Sequence, residues 1–220
     1  MPSLLHKAAA LDTLAHKSLL TSNPKLDAAL KSSAAAGLPP ITINPLQGQF
    51  LAIQCKLMGA KRVLEIGTLG GYSTIWFAST GAHVTSIEID PKHRDVALQN
   101  TSGLDVEIIL GAALDVLPEL HQEGREFDFV FIDAAWEEQS AYFEWAVKLT
   151  REGGAIYVDN VVRWLLEQED LGESEGLVSK VGGLKGKGGV QASLINTVSS
   201  FKGKEEEMMD GFLLAVVEKK

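Results

Sequence analysis

One cysteine, Cys55, is all the sulfhydryl chemistry this chain of 220 residues contains. An internal disulfide is therefore excluded, and nothing points to an oxidising compartment. Basic residues are also short: 20 Lys and Arg stand against 29 Asp and Glu, a net charge of −9. That balance argues against nucleic acid or an anionic membrane surface as a partner, and no basic patch with interleaved aromatics offsets it. No apolar run approaches the ~20 residues of a membrane span. The N-terminus lacks a signal-peptide layout, because Asp12, His16 and Lys17 interrupt its apolar stretch. A cytoplasmic location is expected. Internal repeats and a second domain are absent too, so residues 1–220 read as one domain with a sizeable core.

Two nucleotide-binding fingerprints are missing as well. After the apolar run Val63, Leu64, Ile66 the chain turns at Gly67, Gly70 and Gly71 into a helical pattern containing Ile75, Trp76 and Ala78. A dinucleotide motif starting at Gly67 needs glycine where Leu69 and Tyr72 stand, and no Gly-Lys-Ser/Thr ending makes a phosphate loop. What is there is a strand turning sharply into a helix, which sets backbone N–H groups at the carboxyl edge of a sheet, where open α/β sheets bind ligands.

Two acids specify the ligand. Glu65 interrupts the first strand, and burying an acid is costly unless something bonds it. A ligand ammonium group nearby explains it, and a solvated strand end is the plain alternative. Glu88 closes a second strand, in HVTSIEIDP, 21 residues after Gly67. An acid there grips ribose hydroxyls. Adenosine without a pyrophosphate, carrying a sulfonium and an amino-acid tail, fits this pair: S-adenosylmethionine.

Along the chain, residues 3–36 read as two helices broken at Asn23-Pro24, so residues 1–40 form an N-terminal helical extension. Pro45 opens a helix to about Met58. Strands are expected near 62–66, 83–88, 106–110, 127–132 and 154–158, with helices between them. This alternation means a parallel sheet covered on both faces. Residues 167–189 read as a flexible Gly-rich loop in which Gly182-Gly183 and the glycines from Gly186 to Gly189 break any helix. A helix is expected near 190–200. The stretch Glu205 to Met209 then pairs with a last strand, Phe212 to Val217, through a hairpin at Asp210-Gly211, and the charge run Glu205 to Glu207 reads as a solvated edge.

The fourth strand, FDFVFIDAAW, ends at Asp133, and the fifth, GGAIYVDNVV, ends at Asp159-Asn160. Two carboxylates and an amide oxygen at one sheet edge are hard ligands. They suit Mg²⁺ first, or Mn²⁺ or Ca²⁺, and not zinc. An Asp-Asn pair after a strand also serves as a helix cap.

From about Ile41 to the end, the sequence resembles the cation-dependent O-methyltransferases, the group containing the caffeoyl-CoA and catechol O-methyltransferases. The motifs that carry the resemblance are PLQGQFL, EIGTLGGYS, SIEID, FDFVFIDA, GGAIYVDN and DGFLLAVV. It implies a Rossmann-like α/β sheet of seven strands, mostly parallel with an antiparallel last strand, helices on both faces, and a homodimer. It also implies that Glu65, Gly67, Tyr72, Ser73 and Asp133 surround the methionine part of the cofactor, Glu88 the ribose, and Ala112 and Ala113 the adenine. Asp133, Asp159 and Asn160 would hold the metal and carry catalysis, and the acceptor would be a small catechol-like or flavonoid molecule.

One position departs from that group. Many members read Asp-Ala-Asp-Lys, with the lysine implied as general base, and this chain reads Asp133-Ala134-Ala135-Trp136. Tryptophan takes no proton. Lys148 and His121 suit solvated helix faces better than the site. Trp136 and Trp164 are candidates to sandwich an aromatic acceptor, or else pack as ordinary aromatics. Two other readings stay open: a methyltransferase acting on a non-catechol acceptor without metal, and a catalytically weak cofactor-binding protein.

Overall fold

Alternating strands and helices give a single seven-stranded sheet in the computed structural model, which describes residues 3–168, 176–184, 189–205 and 207–218. The chain opens with α1 (Leu4–Leu19), α2 (Pro24–Ala35) and α3 (Pro45–Met58). It continues through β1 (Arg62–Ile66), α4 (Tyr72–Ala78), β2 (His83–Glu88), α5 (Pro91–Asn100), β3 (Val106–Leu110), α6 (Ala113–Gln122) and β4 (Phe127–Ile132). A short 3₁₀ turn, Trp136–Glu138, leads into α7 (Gln139–Leu149) and β5 (Thr150–Val158). The chain closes with α8 (Val161–Leu166), α9 (Leu177–Leu184), β6 (Val190–Val198) and β7 (Met209–Val217).

The strand order is β3-β2-β1-β4-β5-β7-β6, and β7 alone runs opposite to the other six. The central strands are buried on both faces, as parallel strands must be. Side chains alternate between two cores. Leu64, Ile66, Val130, Ile132, Ile156 and Val158 pack with α6, α7 and α9. Val63, Phe129, Phe131 and Tyr157 pack with α2, α3 and α4. Glu65, Asp133 and Asp159 belong to the second alternation by position, and Glu65 lies in an otherwise apolar layer.

Sequence signals explain the helix starts. Ser3, Asn23, Asn44 and Asp90 each accept a first-turn N–H with their side chains, and Pro24, Pro45 and Pro91 follow three of them. Among the described residues no helix is long and apolar enough to cross a membrane.

Four expectations fail in the last third. Residues 190–198 form β6, not a helix. This edge strand is exposed on both faces for most of its length, so it shows no alternation to read. Asp210-Gly211 is no hairpin turn but lies inside β7, paired with Thr197 and Asn196. A Cβ at Gly211 would stand 2.1 Å from the Ile195 carbonyl oxygen, so glycine is needed there for close strand approach. Gly182 and Gly183 do not break the chain, because α9 runs through them. Leu177 and Val181, one turn apart, are buried against α7, and packing overrides propensity. The charge run is a solvated edge only in part: Glu205 is exposed, Glu206 lies outside the described residues, and Glu207 pairs with Lys204 at 2.8 Å and Arg163 at 3.5 Å. Within the proposed loop 167–189, residues 169–175 and 185–188 lie outside the described residues.

Candidate active site

The carboxyl ends of β1, β2, β4 and β5 are stitched level by backbone bonds. Gly67 N–H donates to Ile87 O at 3.0 Å, Asp133 N–H to Ile66 O at 2.9 Å, and Asp159 N–H to Ile132 O at 2.9 Å. A cleft of about 460 Å³ opens above β1 and β2, and a smaller recess of about 90 Å³ opens above β5 and β7. Asp133 lines both.

The turn after β1 is built around Glu88. Its Oε2 accepts the N–H groups of Thr68 at 3.1 Å and Leu69 at 2.7 Å, and its Oε1 accepts that of Asp90 at 2.9 Å. Leu69 has φ of 50°, which an L-residue adopts only when something holds it, and the Glu88 bond does so. Gly67 has φ of 96° and packs against the Asp133 backbone. Gly67, Tyr72, Ser73, Glu88, Ala112, Ala113 and Asp133 all line the cleft, with Ile89 and His93 beside them.

Glu65 is different. It is fully buried beneath the cleft floor and does not line it. Hydroxyls of Ser73 (2.5 Å), Thr74 (2.5 Å) and Ser86 (2.6 Å) donate to its two oxygens. The expected ammonium is thus not needed to satisfy it, and Glu65 reaches the cleft only through Ser73. Burial raises its pKa to about 7 against those three hydrogen bonds.

In the recess, Asp133 and Asp159 sit at adjacent strand ends with Asn160, which adopts φ of 58°. Asn160 Nδ2 donates to Asp210 Oδ2 at 2.7 Å, which leaves its Oδ1 as the ligating atom. Gln47 Nε2 donates to Asp159 Oδ1 at 2.8 Å and to the Tyr157 hydroxyl at 3.2 Å. Burial pushes the Asp133 carboxyl up to about 6, with the Lys202 ammonium opposing and Asp210 reinforcing. Burial raises Asp159 further, together with repulsion from Asp133 and Asp210. Among the described residues no donor engages the Asp133 carboxylate, and no trio of His, Cys, Asp or Glu is arranged to hold a metal unaided. A divalent ion fits here only with the Asn160 amide oxygen completing the set. That hard-oxygen donor set and its excess negative charge suit such an ion.

Trp136 and Trp164 do not sandwich anything. Their ring centroids are 5.7 Å apart at 60°, in contact with each other, and they line a separate groove with Gln139 and Leu177. No ring fits between them. Lys148 and His121 flank Trp145 on the exposed outer side of α6 and α7.

Sequence reasoning missed Gln47, His93, Lys202 and Asp210. Gln47 lies in PLQGQFL, a motif noticed without a role. Lys202 and Asp210 lie in the region whose strands were misassigned.

A sequence model described as O-methyltransferase matches residues 18–177. A catechol O-methyltransferase of Mycobacterium tuberculosis is 41% identical over 216 residues, which cover 94% of each chain. The structure of an O-methyltransferase from Bacillus cereus in complex with SAH superimposes with a TM-score of 0.86 at 36% identity, over 98% of this chain and 100% of that one. The O-methyltransferase of tomaymycin synthesis from Streptomyces achromogenes, in complex with SAM, gives 0.85 at 32% identity over 99% and 100%.

Proposed function

Because this chain belongs to the O-methyltransferase family, an S-adenosylmethionine-dependent class of enzyme, we propose that it methylates one oxygen of a vicinal dihydroxy aromatic small molecule with the help of a divalent cation, Mg²⁺ first. The observation that carries this reading is Asp133. A half-buried carboxylate without a donor among the described residues, shared by a nucleoside-sized cleft and an oxygen-lined recess, fits a site where a cationic cofactor meets a metal-bound acceptor.

When bound, S-adenosylmethionine supplies an electrophilic methyl group, and a divalent cation supplies charge that lowers the pKa of an acceptor hydroxyl. The chain's residues supply position. Glu88 receives the ribose hydroxyls while holding the Thr68–Leu69 turn. Ala112 and Ala113 face the adenine, and Gly67, Tyr72 and Ser73 surround the amino-acid tail. Glu65 keeps Ser73 in place from below. Asp133, Asp159 and Asn160 hold the ion, with Gln47 and Asp210 orienting the latter two. Such alignment is worth ~7–11 kcal/mol in favourable cases. The exposed leucines of α1 (Leu4, Leu11, Leu14 and Leu19) favour a homodimer, which light scattering tests.

The deciding experiment offers catechols, flavonoids and hydroxycinnamates with S-adenosylmethionine and Mg²⁺, with and without EDTA. Methyl ethers are expected only with free Mg²⁺. Methylation indifferent to EDTA overturns the metal-dependent reading.

A further inference from the structure

The acceptor recess has a charge problem that the catalytic carboxylates create. Asp133, Asp159, Asp210 and Glu207 all line it, and Lys202 is the one basic residue lining it among the described residues. The other nearby cations are committed. Arg163 lies 3.2 Å from Glu167 and 3.5 Å from Glu207 and stacks over Trp136, and Lys204 lies 2.8 Å from Glu207. No carboxylate of the described residues lies within salt-bridge distance of Lys202, whose ammonium stands 5.7 Å from the Phe201 ring.

The loop that carries Lys202 is anchored. Asp12, from α1, accepts the Ser200 N–H at 2.6 Å and the hydroxyls of Ser200 at 2.8 Å and Ser199 at 3.2 Å. Asn44, the cap of α3, donates to the Ser199 hydroxyl at 3.0 Å and contacts His16 Nε2 at 3.2 Å. A turn closes from Gly203 N–H to Ser200 O at 2.8 Å, with Gly203 at φ of 76°, and Lys202 occupies its third position. Trp136, for its part, is turned onto Trp164 and does not line the recess.

Resting on the methyl-transfer reading above, we propose that Lys202 is a catalytic residue: its ammonium, delivered from the β6–β7 loop, donates to the attacking acceptor oxygen and holds it as a phenolate. Asp12 acts as a positioning residue for it. No proton is transferred to or from Lys202 in the step. The acceptor O–H bond breaks and its proton leaves to water. The oxygen forms a bond to the methyl carbon, the carbon–sulfur bond breaks, and its electron pair stays on sulfur, turning the sulfonium into a thioether. The charged groups facing Lys202 are Asp133 from β4, Asp159 from β5, Asp210 from β7 and Glu207 from its own loop, with Asp12 and His16 of α1 behind it.

The test uses the full-length enzyme with Mg²⁺ and S-adenosylmethionine. Lys202→Met should lower kcat about 10²-fold at neutral pH, the scale of one lost preorganised donor, with recovery as pH rises through the acceptor's own pKa. Lys202→Arg should keep most of the rate. Binding of 4-nitrocatechol gives a readout independent of turnover: its phenolate absorbance should titrate at higher pH on Lys202→Met and Lys202→Gln than on wild type. Asp12→Asn should move kcat and that titration the same way by less. Cofactor affinity should stay within about twofold of wild type, because Lys202 does not line the cofactor cleft.

Wild-type kcat and titration in Lys202→Met overturn the proposal. So does a fall in kcat without movement of the titration, which marks a structural role. A wild-type enzyme that neither methylates nor binds a catechol overturns both this proposal and the parent reading. One that does both, with Lys202→Met unchanged, overturns this proposal alone.

Discussion

The backbone oxygen of Asp133 lies 2.0 Å from where a Cβ on Gly67 would stand. The two residues follow neighbouring strands, and Asp133 lines both the cleft and the recess. Gly67→Ala must push Asp133 aside and also hold alanine at φ of 96°. The expected result is a loss of about 2 kcal/mol or more in stability, with S-adenosylmethionine binding weakened at least tenfold. Thermal melts and titration calorimetry measure both. A variant with wild-type values would show that the turn relaxes freely.

On the proposed reading Glu88 does two jobs, so its substitution should be read with care for shape. Alanine removes the ribose partner and also frees the N–H groups of Thr68, Leu69 and Asp90. Glu88→Gln keeps the outline and removes the charge. Each charge-assisted bond is worth about 1.5–3 kcal/mol, so cofactor affinity should fall by ten- to a hundredfold. Calorimetry showing unchanged affinity in a folded variant would remove Glu88 from the cofactor site.

The recess and the cleft should separate on mutation. Asp159→Ala and Asn160→Ala are expected to abolish Mg²⁺-stimulated transfer and weaken Mn²⁺ binding, while cofactor affinity changes by less than about fivefold, because neither residue lines the cleft. Metal binding that survives both substitutions would place the ion elsewhere.

Glu65 predicts a stability profile. Its carboxyl sits at about 7 in the fold against an ordinary 4.5, so the folded chain holds that proton more tightly than the unfolded chain. Its stabilising contribution is therefore complete below about pH 4.5. It is lost as pH rises to about 7, by roughly 3 kcal/mol in all. Glu65→Gln cannot ionise. Denaturant midpoints of wild type should fall relative to Glu65→Gln across pH 5 to 7.5, and parallel curves would refute the assignment.

The cleft above β1 and β2 was legible in the sequence because its signals are local. Gly67, Tyr72, Ser73 and Glu88 sit at strand-to-helix junctions whose apolar runs, buried on both faces, are easy to read. Asp133 and Asp159-Asn160 were placed at the sheet edge for the same reason. Glu65 was read as an acid facing a ligand ammonium or solvent, but its partners are three hydroxyls, two of them from the following helix, and one-dimensional spacing does not separate hydroxyls from a ligand. Lys202 and Asp210 were missed because they depend on β6. That edge strand shows no periodicity, and its register with β7 decides where the intervening loop points. Trp136 was overvalued, since sequence cannot tell a ring facing a ligand from one facing Trp164.

The sheet order also has a consequence for how the protein is made. β7, which leaves a ribosome after the other six strands described, is inserted between β5 and β6, both synthesised earlier. Until it emerges, β5 keeps a bare edge and β6 has no strand to pair with. The cleft needs only residues up to α7 and gathers from contacts closer along the chain. The acceptor half waits for Asp210 and for the junction of Asp12 with Ser200, 188 positions apart, the kind of long closure that slows folding. A nascent chain short of β7 would have the means to hold a methyl donor before it has anywhere to send the methyl group.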